Sequence, residues 1–308
     1  MNGILYYIVL PTLNVEFLMG TLGNAFTVLV NIIDWVKRRK ISFIDQILTT
    51  LAVSRIAYLF SLTAHLFVYK WYPAIIITRR IVRQTCIFWT VTNHFSVWLA
   101  TCLSIFYFLK IASFPNSIFL HLKWRVKKMV LGTLLASLLL LFLNILVIDA
   151  HIDRIEANII FRAISSNYSQ VARLVLLTNT AFTLIPFTAT LTVFVLLIFS
   201  LCQHLKNMHY NAQGSRDVST AAHIKALQMV VTFLLLYSIF FLSLLLQFCN
   251  VKYNQKTSVS LLFWTVGVAF PSGHSYVLIL GNTKLRQAFV SMVWWLSQRL
   301  SAVEPSVF

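Results

Sequence analysis

The chain has 308 residues, of which 59% are hydrophobic and only 11% charged, with a formal net charge of +17. A soluble domain carries about 25% charged residues, so this surplus of apolar residues excludes a water-soluble globular fold and makes the bilayer the natural solvent. The basic residues sit between apolar runs rather than on one amphipathic surface, which excludes nucleic acid as a partner and reads as topology signals and lipid headgroup contacts.

A helix that crosses a bilayer needs about 20 mostly apolar residues. Seven runs qualify in chain order: Leu5–Ile33, Ile44–Val68, Ile87–Leu109, Met129–Ile148, Leu174–Leu201, Leu227–Phe248 and Val259–Leu280. Met1 to Pro11 carry no basic segment of the signal-peptide kind, so the first run is expected to stay as a span. Asn14, Glu16, Asn24 and Asn31 interrupt it and blur its ends. In lipid each run must be helical, because only a helix satisfies its backbone within one segment. The expected fold is an all-α membrane protein, a seven-transmembrane helix bundle over residues 1–282. A cytoplasmic tail, 283–308, follows. Its Lys284, Arg286 and Arg299 alternate with Phe289, Met292, Val293, Trp294 and Leu296 in the pattern of a short interfacial amphipathic helix.

Orientation follows from Lys and Arg near the span ends. The first connection holds Lys37-Arg38-Arg39-Lys40, and nothing basic precedes the first span. That places the amino terminus outside and the carboxyl terminus in the cytoplasm. The second inner connection agrees, with Lys110, Lys123, Arg125, Lys127 and Lys128. The outer loops are less clean, since Arg79, Arg80, Arg83, Arg154, Arg162, Arg173, Lys252 and Lys256 lie there. The sequon Asn167-Tyr168-Ser169 falls in the outer loop between spans four and five, where Asn167 could be glycosylated.

Several chemistries are missing from the residues. No HExxH, GxSxG or Walker sequence is present, and no pair of intramembrane acids, so no enzyme, metal site or cofactor is expected. Residues 150–173 contain no cysteine, which forbids the loop-to-span-three disulfide of most rhodopsin-like receptors. Cys86, Cys102, Cys202 and Cys249 read as free, buried thiols. Span seven has no lysine for a retinal Schiff base, and span three has no acid to pair with an amine ligand.

Arg55 lies inside span two. A charge at that depth is costly and must face the bundle interior with partners. The candidates are Asn24 on span one and His274 and Ser275 on span seven, a polar network that is both a strut and an element that rearranges on activation. The outer half of span three carries Trp89, Asn93 and His94. Positions 89 and 93 share a helix face and 94 is next to it. Span seven adds Trp264, with Gly267 leaving space, and span six adds Tyr237, Phe240 and Phe241. Aromatic side chains beside small and polar ones point to a pocket. Pro186 is expected to kink span five.

Four segments carry a family resemblance. Leu51-Ala52-Val53-Ser54-Arg55 resembles the second-span signature of the bitter taste receptors, the type 2 taste receptors. Leu103 to Ala112 is similar to their third-span end, His274 to Leu285 to their seventh-span end, and Gly214-Ser215-Arg216-Asp217 with Ser219, Thr220 and His223 to their third inner loop. The resemblance runs in order from Gly23-Asn24 to Phe289. It implies a plasma-membrane G-protein-coupled receptor for small bitter agonists, coupled to gustducin-type heterotrimeric G proteins, phospholipase C and calcium release. By family alignment the ligand site uses Trp89, Asn93, His94, Phe240, Trp264 and Gly267, and the glycosylated loop asparagine is Asn167. Several relatives have an acid where Trp264 stands here, so a neutral or weakly anionic aromatic ligand is expected. The G-protein-facing surface would comprise Lys110, His121, Lys123, Arg125, His204, Lys206 and Lys284. From the residues alone a seven-span channel or carrier stays open, although polarity clusters in the outer halves and at Arg55 rather than running the length of several spans.

Overall fold

The computed structural model describes residues 2–71, 79–112, 114–157, 164–211, 218–252 and 257–303. They form nine helices: α1 (Asn2–Arg38), α2 (Phe43–Trp71), α3 (Arg79–Ile111), α4 (Ser117–Trp124), α5 (Val126–Ala157), α6 (Ile164–Asn211), α7 (Val218–Lys252), α8 (Thr257–Gly281) and α9 (Thr283–Val303). Seven are long and apolar enough to cross a membrane, with apolar segments Tyr7–Arg38, Phe43–Ala64, Arg83–Ile111, Val126–Arg154, Arg173–Gln203, Ile224–Cys249 and Leu261–Gly281. These match the seven expected runs one for one. The first span continues through Asn14, Glu16, Asn24 and Asn31. The buried amides are accommodated within the bundle, as where Asn31 Nδ2 donates to Thr49 Oγ1 at 3.0 Å.

The helices close into a ring. α1 packs on α2 and α8, α7 on α6 and α8, and α3 contacts α2, α5 and α6. α3 is therefore the central post. Its residues Asn93, Val97, Ala100 and Ser104 recur every three or four positions and are all buried, the interior stripe of a helix surrounded by neighbours. α5 shows the reverse pattern. Leu131, Leu135, Leu139 and Phe142 are exposed along one side, as expected of a helix solvated by lipid tails.

Small residues and hydroxyls let α1 and α8 approach closely. Ser272 Oγ donates to the Glu16 carbonyl at 2.9 Å and Tyr276 Oη to the Met19 carbonyl at 2.9 Å. A Cβ on Gly20 would lie 2.9 Å from both Leu59 Cδ1 and Ser272 Cβ. Gly20→Val is therefore expected to destabilise the bundle by about 1–3 kcal/mol through overpacking. Thermal unfolding of the purified protein checks this, and an unchanged midpoint would contradict it.

At one end of the bundle, Arg83 on α3 pairs with Asp149 on α5 at 3.0 Å and also bonds Asp153. These bonds tie α3 to α5 at that end. The four cysteines are free, but only Cys102 is buried. Cys86 is half-buried and Cys202 and Cys249 are exposed, so the expectation of buried thiols holds for one of them. α6 runs helically through Pro186, whose carbonyl accepts from Thr101 Oγ1 at 3.4 Å. The sequon expected in a loop stands at the start of α6, before its apolar segment. The side chains of Asn167 and His204, and residues 214–217, lie outside the described part.

The opposite end is basic. It contains the α1–α2 turn, α4 and the start of α9. Asn116 caps α4, its Oδ1 accepting from the Ile118 amide at 2.8 Å. α9 leaves the bundle, and its far half is exposed, including Val290, Val293, Trp294 and Trp295. Arg299 lies over the Trp295 ring at 4.7 Å. An exposed apolar helix with flanking cations is the arrangement expected of a helix lying along a membrane surface.

Candidate functional site

The polar residues expected around Arg55 lie between α1, α2 and α8. Arg55 is wholly buried, and its Nη2 donates to His274 Nδ1 at 2.5 Å. A guanidinium has donors only, so Nδ1 must be the acceptor and the imidazole proton sits on Nε2. The Arg55 guanidinium also lies 5.2 Å from the centre of the Phe270 ring. Asn24 Nδ2 donates to the Gly20 carbonyl at 2.7 Å and reaches the Pro271 carbonyl of α8 at 3.4 Å. Ser275 turns its hydroxyl back onto the Ser272 carbonyl at 2.6 Å. The direct partner of Arg55 is thus His274. Asn24 joins α1 to α8 alongside, and Ser275 closes a bond within α8.

The six ligand-site candidates divide into groups. Trp89 and Trp264 pack against one shared cluster with Leu13, Leu59, Leu62 and Val268. Asn93 is buried on the interior stripe of α3, and its Oδ1 has no hydrogen-bond partner. His94 is rotated about 100° from it and faces the Ser137 backbone of α5, so it does not converge with Asn93. Gly267 leaves no open space either. A Cβ there would meet Ser243 Oγ of α7 at 2.9 Å, so its smallness serves helix contact.

Phe240 heads an aromatic column that runs through the bundle. Its ring lies 5.3 Å from Phe270, which also stacks on Tyr237 at 5.1 Å and on His274 at 5.5 Å. Phe233 meets the His274 ring edge-on at 4.3 Å. Such contacts contribute about 0.5–1.5 kcal/mol each beyond area burial. Nearby, Phe187 of α6 stacks on Phe241 at 4.3 Å. The column links the Phe240 region to the Arg55–His274 contact without a gap.

Below the column a cavity of about 360 Å³ opens at the basic end, lined by α3, α6, α7, α8 and α9. Ser104, Tyr107, Phe233 and His274 stand in its wall, with Lys225 and Arg286 also lining it. Neither Lys225 nor Arg286 was among the residues expected from sequence. The available signal was position, since Lys225 just precedes the sixth apolar run and Arg286 lies in the amphipathic helix.

Of the residues expected on this face, Lys110, His121, Arg125 and Lys206 are exposed. Lys123 donates to the Ala112 carbonyl at 3.2 Å, satisfying the end of α3. Lys284 bridges Asp34 at 3.3 Å and Asp45 at 3.0 Å, so it fastens α9 to α1 and α2 rather than standing free for a partner. Asp34 is held further by Arg38 at 2.7 Å. Among the described residues no group of three or more His, Cys, Asp or Glu could hold a metal ion.

Comparison with known proteins places this architecture in a family. Residues 1–297 match the family described as Taste receptor protein (TAS2R). The chain is 56% identical to taste receptor type 2 member 140 of Rattus norvegicus, over 96% of each chain. It is 52% identical to taste receptor type 2 member 103 of Mus musculus, over 98% of this chain and 97% of the relative. With taste receptor type 2 member 14 of Macaca mulatta it shares 51% identity over 99% and 97%. Seven apolar helices and near full-length similarity agree, and the chain belongs to the taste receptor type 2 family of bitter taste G-protein-coupled receptors, multi-pass membrane proteins that are receptors rather than enzymes.

Proposed function

We propose that this receptor binds small bitter agonists in the half of the bundle remote from the basic end, and that the basic end receives a gustducin-type heterotrimeric G protein. On this reading the amino terminus is extracellular, the basic end is cytoplasmic and the protein works at the plasma membrane. Phospholipase C and calcium release follow G-protein activation. The observation that carries the reading is the continuous aromatic column from Phe240 to His274 and Phe233, ending in the wall of the basic cavity. A ligand that shifts Phe240 would move, through rigid ring contacts, the residues that shape a crevice for a G-protein tail.

The agonist contacts on this reading centre on Trp89, Asn93, Phe240 and Trp264. His94 would act through α5 and Gly267 through α7 packing. Asn93 offers a buried acceptor, while Trp89 and Trp264 offer apolar faces. With no acid at Trp264, neutral or weakly anionic aromatic compounds suit these walls best. The inner surface is then Lys110, His121, Arg125 and Lys206 around the cavity. His204 and the glycosylation of Asn167 are carried by family resemblance alone, and α9 would lie against lipid headgroups.

The test is a bitter-compound library applied to cells expressing the receptor with a gustducin-type G-protein chimera. Asn93→Ala is expected to raise the EC50 of a neutral hydrogen-bonding agonist about 10-fold, the loss of one buried bond, with surface level unchanged. Activation by cationic amines alone, or an EC50 indifferent to Asn93→Ala and Phe240→Ala, would overturn this assignment of the site.

A further inference from the structure

Among the described residues the charge of Arg55 has no ion-pair partner. The guanidinium is wholly buried, and its Nε and Nη1 have no hydrogen-bond partner. No carboxylate of the described residues lies within ion-pairing distance of it. The described acids Asp34 and Asp45 are engaged by Lys284, and Asp149 and Asp153 by Arg83. Glu16, on α1, makes no ion pair with Arg55. His274 accepts from Arg55 as a neutral ring, and Phe270 offers only its π face. Arginine keeps its proton in proteins. A buried cation without a counter-charge is among the costliest arrangements in a membrane interior.

The surroundings favour an anion. His274 both holds Arg55 and forms part of the wall of the basic cavity, and the other ionisable residues lining that cavity, apart from Tyr107, are Lys225 and Arg286. No carboxylate lines it. The cavity therefore presents a one-signed field that concentrates small anions beside the Arg55–His274 pair. Water could satisfy the free N–H groups, but it would not balance the charge.

We propose that the Arg55 guanidinium binds a small inorganic anion of the halide class beside its unpartnered N–H groups, supplied from the basic cavity past His274. The anion is a structural counter-ion of the α1–α2–α8 strut. Its site is separate from any agonist site and does not depend on the identity of the agonist. Because binding requires dehydration among apolar rings, bromide and iodide should act at least as well as chloride.

The experiment is thermal unfolding of the full-length receptor in lipid nanodiscs, in sodium chloride, bromide, iodide or gluconate at equal ionic strength. The halides are expected to raise the midpoint saturably, by about 3 °C at ten times the dissociation constant. Arg55→Gln keeps polar donors but removes the charge, and should abolish the difference between halide and gluconate. Lys128→Gln, an exposed cation elsewhere on the basic end, should retain it. Equal midpoints in halide and gluconate, or a halide response that survives Arg55→Gln, would overturn the proposal. If Arg55→Gln does not fold, crystals grown in bromide decide the matter. An anomalous peak within hydrogen-bonding distance of Arg55 Nε or Nη1 supports the site, and scattering there no stronger than water overturns it.

Discussion

Arg55→Ala is expected to lower the stability of the receptor by about 3 kcal/mol, comparable to the truncation of a large buried side chain, and to cut surface expression and agonist response together. Three losses combine in this one change. The substitution opens a cavity between α1, α2 and α8, removes the bond to His274 Nδ1 and takes the cation from the Phe270 face. Arg55→Met separates packing from bonding, because it restores most of the volume without the charge. A buried ionic group replaced by an apolar one of similar size is often neutral for stability. Arg55→Met is therefore expected to recover much of the expression but not the response, since His274 loses the contact that joins the aromatic column to α2. Unfolding midpoints and surface labelling read the first part, and calcium release reads the second. Wild-type expression and signalling in Arg55→Ala would refute the strut and its part in activation alike.

The second large effect belongs to the basic cavity. Ala226 lies in its wall, on α7 near Lys225. Ala226→Trp places a large ring in a space of about 360 Å³ and should block a G-protein tail while leaving the remote half of the bundle untouched. Agonist binding and surface level are expected to stay within about twofold of wild type, while G-protein activation falls at least 10-fold, equivalent to about 1.4 kcal/mol or more. Radioligand or fluorescent-agonist binding, with nucleotide exchange on the G protein, separates the two. If coupling survived Ala226→Trp, the G protein would not enter this cavity.

The seven spans were legible because length and hydropathy alone define them, and so was the need for partners at Arg55, since a charge inside a span has few solutions. Rotation of each helix about its axis was less legible. In a bilayer, lipid and neighbouring helices are both apolar, so the pattern barely marks which face is inside. Asn93 and His94 are adjacent in sequence, yet a helix turns them about 100° apart. Gly267 read as open space because nothing in the chain announces Ser243 across from it. Lys284 read as a free cation because Asp34 and Asp45 stand far earlier in the chain, Asp34 by 250 residues, a separation that only the folded ring removes. Lys225 and Arg286 share one cavity wall only because the fold brings α7 and α9 together around it.

On the proposed reading a signal passes from an agonist, through the Phe240–Phe270–His274 column, to a G protein at the basic end. Its most direct measurement is calcium release in cells that express the receptor and respond to a bitter agonist, recorded with and without the gustducin-type G protein, alongside whole-cell current. A calcium rise that requires both agonist and G protein, with no receptor-dependent current, is the predicted result. An agonist-evoked current that persists after the G protein is removed would contradict it, and would make the bundle a channel.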